Sequence, residues 1–149
     1  MATAERRAEV YWEGELEQGA GSLALGNWMV GEEPATWSSR IGSEEDNASP
    51  EELLAAAQAS CYSMALSSVL GEQGTTPERM NVSTVCTLDE VEEGRFRITA
   101  IELDVRGSVP SMNAEGFQEA VERADSICPV TNALKGNVDI RIQAHLEEG

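Results

Sequence analysis

The stretch SPEELLAAAQASCYSMALSSVLGEQGTTP, residues 49–77, decides the fold because it sets one long helix between two groups of strands. Ser49 stands at the N-cap, Pro50 at the first helical position and Glu52 at the capping-box position, which predicts a helix from about residue 50 to 70. Gly71, Gly74 and Pro77 close it. Within it Leu54, Ala57, Cys61, Met64, Ala65 and Ser68 recur at spacings of three and four, so Cys61 is expected on the buried face. Ala56, Ala57, Ala59, Ser60 and Ala65 let another backbone approach closely, and the helix is therefore read as central. Periodicity alone favours Cys61 as a small core hydrophobe, since free cysteine is among the most buried residue types.

On the N-terminal side, AEVYWEGELE alternates with Val10, Trp12 and Leu16 on one face. GAGSLALGNWMVG and ATWSSR read as further short strands of a meander, and IGSEEDNASP as a polar turn-rich link. On the C-terminal side, MNVSTVCTLDEV alternates with Met80, Val82, Thr84, Cys86 and Leu88 on one face, and EEGR turns the chain into RFRITAIELDV. The apolar phase slips by one near Ala100, as a β-bulge produces. Asn113 caps a second helix with Phe117, Ala120, Val121 and Ala124 as its apolar stripe. That helix breaks at Cys128–Pro129, VTNALKG reads as one or two more helical turns, and NVDIRIQAHLEE is a last strand with Val138, Ile140, Ile142 and Ala144 inward. The pattern is α+β, in a single domain covering 1–149.

Composition narrows the partners. Ten Lys plus Arg against 27 Asp plus Glu give a formal charge of −17 over 149 residues, with Lys135 the only lysine. Such a surface repels a phosphate backbone or an anionic lipid, so nucleic-acid and membrane partners are disfavoured. MATAERRAEV carries no apolar segment after its arginines, so no signal peptide is expected, and no apolar run approaches the roughly 20 residues of a bilayer span. The compartment implied is a reducing cytoplasm, in which three cysteines are thiols or transiently oxidised rather than a disulfide framework.

The cysteines differ. In SICPVTNAL, Pro129 fits the first position of a short helix with Cys128 as its cap, where free backbone N–H groups would favour a thiolate; the plainer reading is a breaker between two helices. Cys86 lies on the apolar face of a strand and reads as core. Three cysteines with His145 lack the short spacings of a zinc site, and His145 alternates outward. No Cys-x-x-Cys, G-x-S-x-G, P-loop or Rossmann pattern is present.

SPEELLAAAQASCYSMALSSVLGEQGTTP followed by ICPVTNALKGNVDIRI resembles the OsmC/Ohr family, the osmotically inducible protein C and organic hydroperoxide resistance proteins, and its OsmC branch in particular. WEGELEQGAGSL and TWSSRIG match the N-terminal pattern in order and spacing, so the resemblance covers nearly the whole chain. It implies an OsmC-like intertwined homodimer with antiparallel sheets wrapped around central helices. It also implies a peroxidatic Cys61, a resolving Cys128, and a supporting Arg40 and Glu51. Two positions depart from the pattern: Gln58 stands where relatives often carry His, and the helix starts Ser-Pro instead of Asn-Pro.

The chemistry implied is reduction of organic hydroperoxides, and of hydrogen peroxide less well, through a Cys61 sulfenate and a Cys61–Cys128 disulfide, in the response to oxidative and osmotic stress. A dithiol such as a lipoyl group on a protein is the implied reductant, without metal, haem or flavin. A buried thiol loses thiolate character, and the permanently charged guanidinium of Arg40, read at the end of a strand, is the candidate to restore it. Glu51 is expected to orient Arg40 by a bidentate pair. Ten residues of helix, about 15 Å of rise, separate Glu51 from Cys61 of the same chain, so at the site either a partner subunit is expected to supply it or the loop region to bring it elsewhere. Two rival readings stand beside this one: a dimer that binds an apolar ligand with inert cysteines, and a redox-responsive regulator.

Overall fold

The computed structural model describes residues 4–26, 28–29, 36–41 and 49–147. Its internal packing divides the chain into two compact units, Met1–Leu53 and Leu54–Gly149.

In the first unit β1 (Ala8–Glu13), β2 (Ala20–Leu25) and β3 (Trp28–Met29) form the expected meander, antiparallel in the order β1-β2-β3. The β1–β2 register runs from Ala8 opposite Leu25 to Glu13 opposite Ala20. Of the apolar positions read from alternation, Val10, Trp12 and Leu16 are exposed, while Leu23 opposite Val10 is buried. ATWSSR, expected as a strand, instead contains a short helix, α1 (Trp37–Ile41). Trp37 and Ile41 stand at i and i+4, and five residues are too few for the apolar period to separate helix from strand. The link IGSEEDNASP lies largely outside the described residues.

The helix α2 (Pro50–Glu72) starts and stops where its signals predict, with two more residues at its end. Ser49 Oγ accepts the Glu52 N–H at 3.1 Å. At the other end Thr75 N–H bonds the Leu70 carbonyl and Gly74 N–H the Gly71 carbonyl, with Gly74 at φ 75°. These two bonds cap the last carbonyls, and the left-handed residue between them has no Cβ to clash.

β4 (Arg79–Glu92) and β5 (Arg95–Ser108) form a long antiparallel hairpin through Glu93–Gly94. The register shifts between Thr87 and Leu88, where Thr87 faces Ala100 and Leu88 faces Ile98. Thr99 is therefore the extra residue of the bulge predicted near Ala100. α3 (Ala114–Ile127) and α4 (Pro129–Leu134) follow, and β6 (Asp139–Leu146) completes a sheet of order β4-β5-β6. β6 departs from the antiparallel expectation: it pairs with β5 in parallel, because a connection through two helices returns the chain in the same direction. The architecture is α+β, with one antiparallel and one mixed sheet.

The core of the second unit joins α2, β5 and α3. Tyr62, Leu66, Val69 and Leu70 from α2 meet Ile101, Leu103 and Val105 from the central strand β5, and Phe117, Ala120, Val121 and Ala124 from α3. Each large side chain buried there contributes about 1.5–3 kcal/mol relative to exposure. Gly107 admits Phe117: a Cβ there would lie 2.9 Å from the ring. Asn113 Oδ1 accepts the Gly116 N–H at 2.7 Å, as the capping signal predicts.

One expectation about α2 is corrected. The face that packs on the core is Gln58, Tyr62, Ala65, Leu66, Val69 and Leu70, whereas Ala57, Met64 and Ser68 are exposed and Cys61 lies half-buried at the boundary. Both faces of this helix are apolar, and the one with the bulkier side chains removes more area from water. For the same reason α2 is long and apolar enough to cross a membrane, contrary to the expectation of no such run; only 33% of that segment is buried within the chain. The core helix of a soluble protein meets the same test of length and composition.

Candidate active site

The four residues singled out from the sequence fall into two side-chain clusters, one in each unit. In the second unit α2 presents Cys61, and the break between α3 and α4 presents Cys128. The two sulfurs are 3.3 Å apart, with the Cys128 thiol donating to Cys61 Sγ. Both are free thiols; Cys128 is fully buried and Cys61 half-buried. Closing from 3.3 Å to a disulfide of about 2.05 Å is a small movement for two side chains.

The surroundings of Cys61 oppose its ionisation. Burial pushes the Cys61 thiol above its ordinary value, the backbone N–H of Val130 pulls it back by bonding the sulfur, and Cys128 raises it further. The short helix starts as the sequence predicts. Cys128 is the N-cap of α4 and Pro129 its first residue, yet the Cys128 side chain makes no capping bond. The N–H of Val130, one residue further, serves Cys61 instead. Pro129 offers no N–H, so Val130 is the first donor that this helix start provides.

Neighbouring bonds hold α2 against the helices that carry Cys128. Tyr62, fully buried, donates its hydroxyl to the Val121 carbonyl at 2.8 Å, and burial pushes its pKa well above the usual tyrosine range. Gln58 Nε2 donates to Thr131 Oγ1 at 2.8 Å, both residues being buried. Sequence reading missed the Gln58–Thr131 bond; the available signal was spacing, since Gln58 lies three residues before Cys61 and Thr131 three after Cys128.

In the first unit Arg40 is on α1, not at a strand end, and Glu51 is in the first turn of α2. Arg40 Nε donates to Glu51 Oε1 at 2.9 Å. Among the described residues the contact is single where a bidentate pair was expected, and Glu51 Oε2 is buried without a hydrogen-bond partner there. The Glu51 side chain is 7% exposed and that of Arg40 37%, so the carboxylate is fixed while the guanidinium reaches solvent. The structure thus brings Arg40 to Glu51 and Cys61 to Cys128. Among the described residues, no group of three or more His, Cys, Asp or Glu is placed to hold a metal.

An α+β chain whose half-buried thiol is held against a second, buried thiol belongs to the class of paired-thiol proteins. The family described as OsmC-like protein matches residues 42–143, and the chain belongs to that family. It is 34% identical over 141 residues to peroxiredoxin OsmC of Escherichia coli, covering 95% of this chain and 97% of that protein. It is 28% identical to the organic hydroperoxide resistance protein of Xanthomonas axonopodis pv. citri, over 68% of this chain and 69% of the other. Among solved structures, the organic hydroperoxide resistance protein OhrB of Bacillus subtilis is similar with a TM-score of 0.70 at 25% identity, covering 97% of this chain and 100% of that one. A protein of the same description from Elizabethkingia anophelis reaches 0.77 at 22% identity, over 98% and 99%, and shares the fold.

Proposed function

We propose that this chain is a thiol-dependent peroxidase that reduces organic hydroperoxides, and hydrogen peroxide less well, to alcohols or water. The observation that carries this reading is the 3.3 Å approach of the Cys61 and Cys128 sulfurs. The names of its relatives, peroxiredoxin OsmC and organic hydroperoxide resistance protein, support it.

Cys61 thiolate attacks one peroxide oxygen, the O–O bond breaks, and the leaving alkoxide takes a proton to become the alcohol. Sulfur is oxidised to a sulfenic acid and the peroxide is reduced by two electrons. Cys128 then attacks the Cys61 sulfur, forming the S–S bond and releasing water, and an external dithiol restores both thiols by exchange while becoming a disulfide itself. A lipoyl group on a protein is a reductant of the required kind.

Arg40 is assigned to favour the Cys61 thiolate and to donate to the peroxide oxygens, and Glu51 to orient Arg40. Because about 15 Å of helix separates Glu51 from Cys61, the pair is assigned to the Cys61 of a second chain in a homodimer. The exposed apolar side chains Val10, Trp12, Leu16 and Met64 support that assembly. Residues 1–149 are taken as one functional domain acting in the cytoplasm, in defence against oxidative and osmotic stress.

The test mixes reduced protein with cumene hydroperoxide and follows thiol loss and intact mass. Wild type is expected to lose two hydrogens, and Cys128→Ser to retain one added oxygen on Cys61. Cys61→Ser is expected to consume peroxide at least about 10³-fold more slowly. Consumption at the wild-type rate by Cys61→Ser would overturn the reading. A single oxidation without turnover, with dihydrolipoamide present, would favour the redox-responsive alternative.

A further inference from the structure

Gln58 and Cys61 are stacked one turn apart on α2, and Cys128 and Thr131 bear the same relation across the start of α4. They face each other as two rungs: Gln58 Nε2 to Thr131 Oγ1 at 2.8 Å, and Cys128 Sγ to Cys61 Sγ at 3.3 Å. The upper rung is costly in isolation. Gln58 is fully buried, Thr131 is 1% exposed, and Gln58 Oε1 is buried with no hydrogen-bond partner among the described residues. A buried amide with one unanswered acceptor is a poor stabiliser compared with an apolar side chain of the same volume. Its location is therefore informative.

α4 has six residues and no side-chain cap at its N-terminus, so its own hydrogen bonds do not fix its position. Thr131 follows Val130, whose N–H bonds Cys61, and lies one turn from Cys128. Anchoring Thr131 to α2 therefore holds both the resolving sulfur and the amide donor against Cys61.

We propose that Gln58 and Thr131 are positioning residues for the resolving step, whose hydrogen bond keeps Cys128 within attacking distance of Cys61. This rests on the peroxidase reading above. When the Cys61 sulfur carries an oxygen, that bond keeps α4 in place, so that condensation to the disulfide outruns a second oxidation by peroxide. Without it, Cys128 reaches the sulfenic acid only in a fraction of conformations.

The experiment uses full-length Thr131→Val, which keeps the shape and removes the hydroxyl, Thr131→Ser, which restores it, and Gln58→Leu. Reduced protein is mixed with one equivalent and then an excess of cumene hydroperoxide, quenched at intervals and weighed. Thr131→Val and Gln58→Leu are expected to form the disulfide at least about tenfold more slowly than wild type. They should accumulate the one-oxygen species, and with excess peroxide a two-oxygen species, while Thr131→Ser resolves at close to the wild-type rate.

A second readout needs no peroxide: the midpoint potential of the Cys61–Cys128 pair in dithiothreitol redox buffers. A tenfold fall in effective concentration moves it about 30 mV toward easier reduction in Thr131→Val. Wild-type resolution and potential in a folded Thr131→Val would overturn the proposal. If wild type itself neither gains oxygen nor loses hydrogen with peroxide, the peroxidase reading fails. The potentials of Thr131→Val and Thr131→Ser then decide the positioning role alone: a shift in the first but not the second supports it, and equal potentials overturn it.

Discussion

The surroundings of Cys61 and those of Arg40 are built from opposite materials. Around Cys61 the partners are a second cysteine sulfur at 3.3 Å and a backbone amide, and burial outweighs the amide to hold the proton on the Cys61 sulfur. Around Arg40 the partner is a nearly inaccessible carboxylate at 2.9 Å, and the guanidinium stays partly open. The first cluster holds two thiols, and the second holds a permanent charge beside a buried carboxylate. One amide is too weak to offset desolvation, because each pKa unit regained takes about 1.4 kcal/mol of preferential interaction with the anion. A permanently charged group is the economical remedy, since it cannot neutralise itself by losing a proton.

The contrast is most exposed to test at Arg40. If its charge activates the dithiol cluster, Arg40→Met lowers the rate constant for cumene hydroperoxide at pH 7 by about 10²-fold. It also shifts the pH profile of iodoacetamide modification of Cys61, read by peptide mass, to higher pH. An unchanged profile would mean that the cysteine cluster is self-sufficient. Glu51→Gln tests the weaker link. Arg40 keeps its charge but loses its fixed partner, so a rate loss of about tenfold is expected, with restoration in Glu51→Asp only in part. Because the Arg40 side chain is 37% exposed, the stability cost in urea unfolding is expected to be only about 1 kcal/mol.

The smallest effect concerns stability against pH. Burial raises the Cys61 thiol in the folded chain, so the folded state keeps its proton to higher pH than the unfolded state. This contribution is complete below the unfolded value of about 8.5 and is lost as pH rises through the folded one. The melting temperature of the reduced wild type should therefore fall more steeply above pH 8.5 than that of Cys61→Ser. Equal slopes would show that Arg40 already offsets the burial before peroxide arrives.

Much of the fold was legible because its signals are local. Ser49, Asn113, Gly74 and the phase slip at Ala100 each act within a few residues, and each stands where the sequence placed it. α1 was misread because five residues carry too little periodicity. The packed face of α2 was misread because both faces are apolar, and a preference between them depends on what lies opposite.

By itself, then, the sequence determined the α+β order, the helix ends, the family and the two cysteines to examine, all of which follow from residue type and near spacing. Only tertiary structure decided which sulfur receives the Val130 amide, that Gln58 reaches Thr131 across 73 positions, and that Cys61 meets Cys128 across 67. Hydrogen bonds act over about 3 Å, and nothing in a linear pattern specifies which distant turns come that close. The cysteine of AAAQASCYSMALSS owes its surroundings to those long-range contacts.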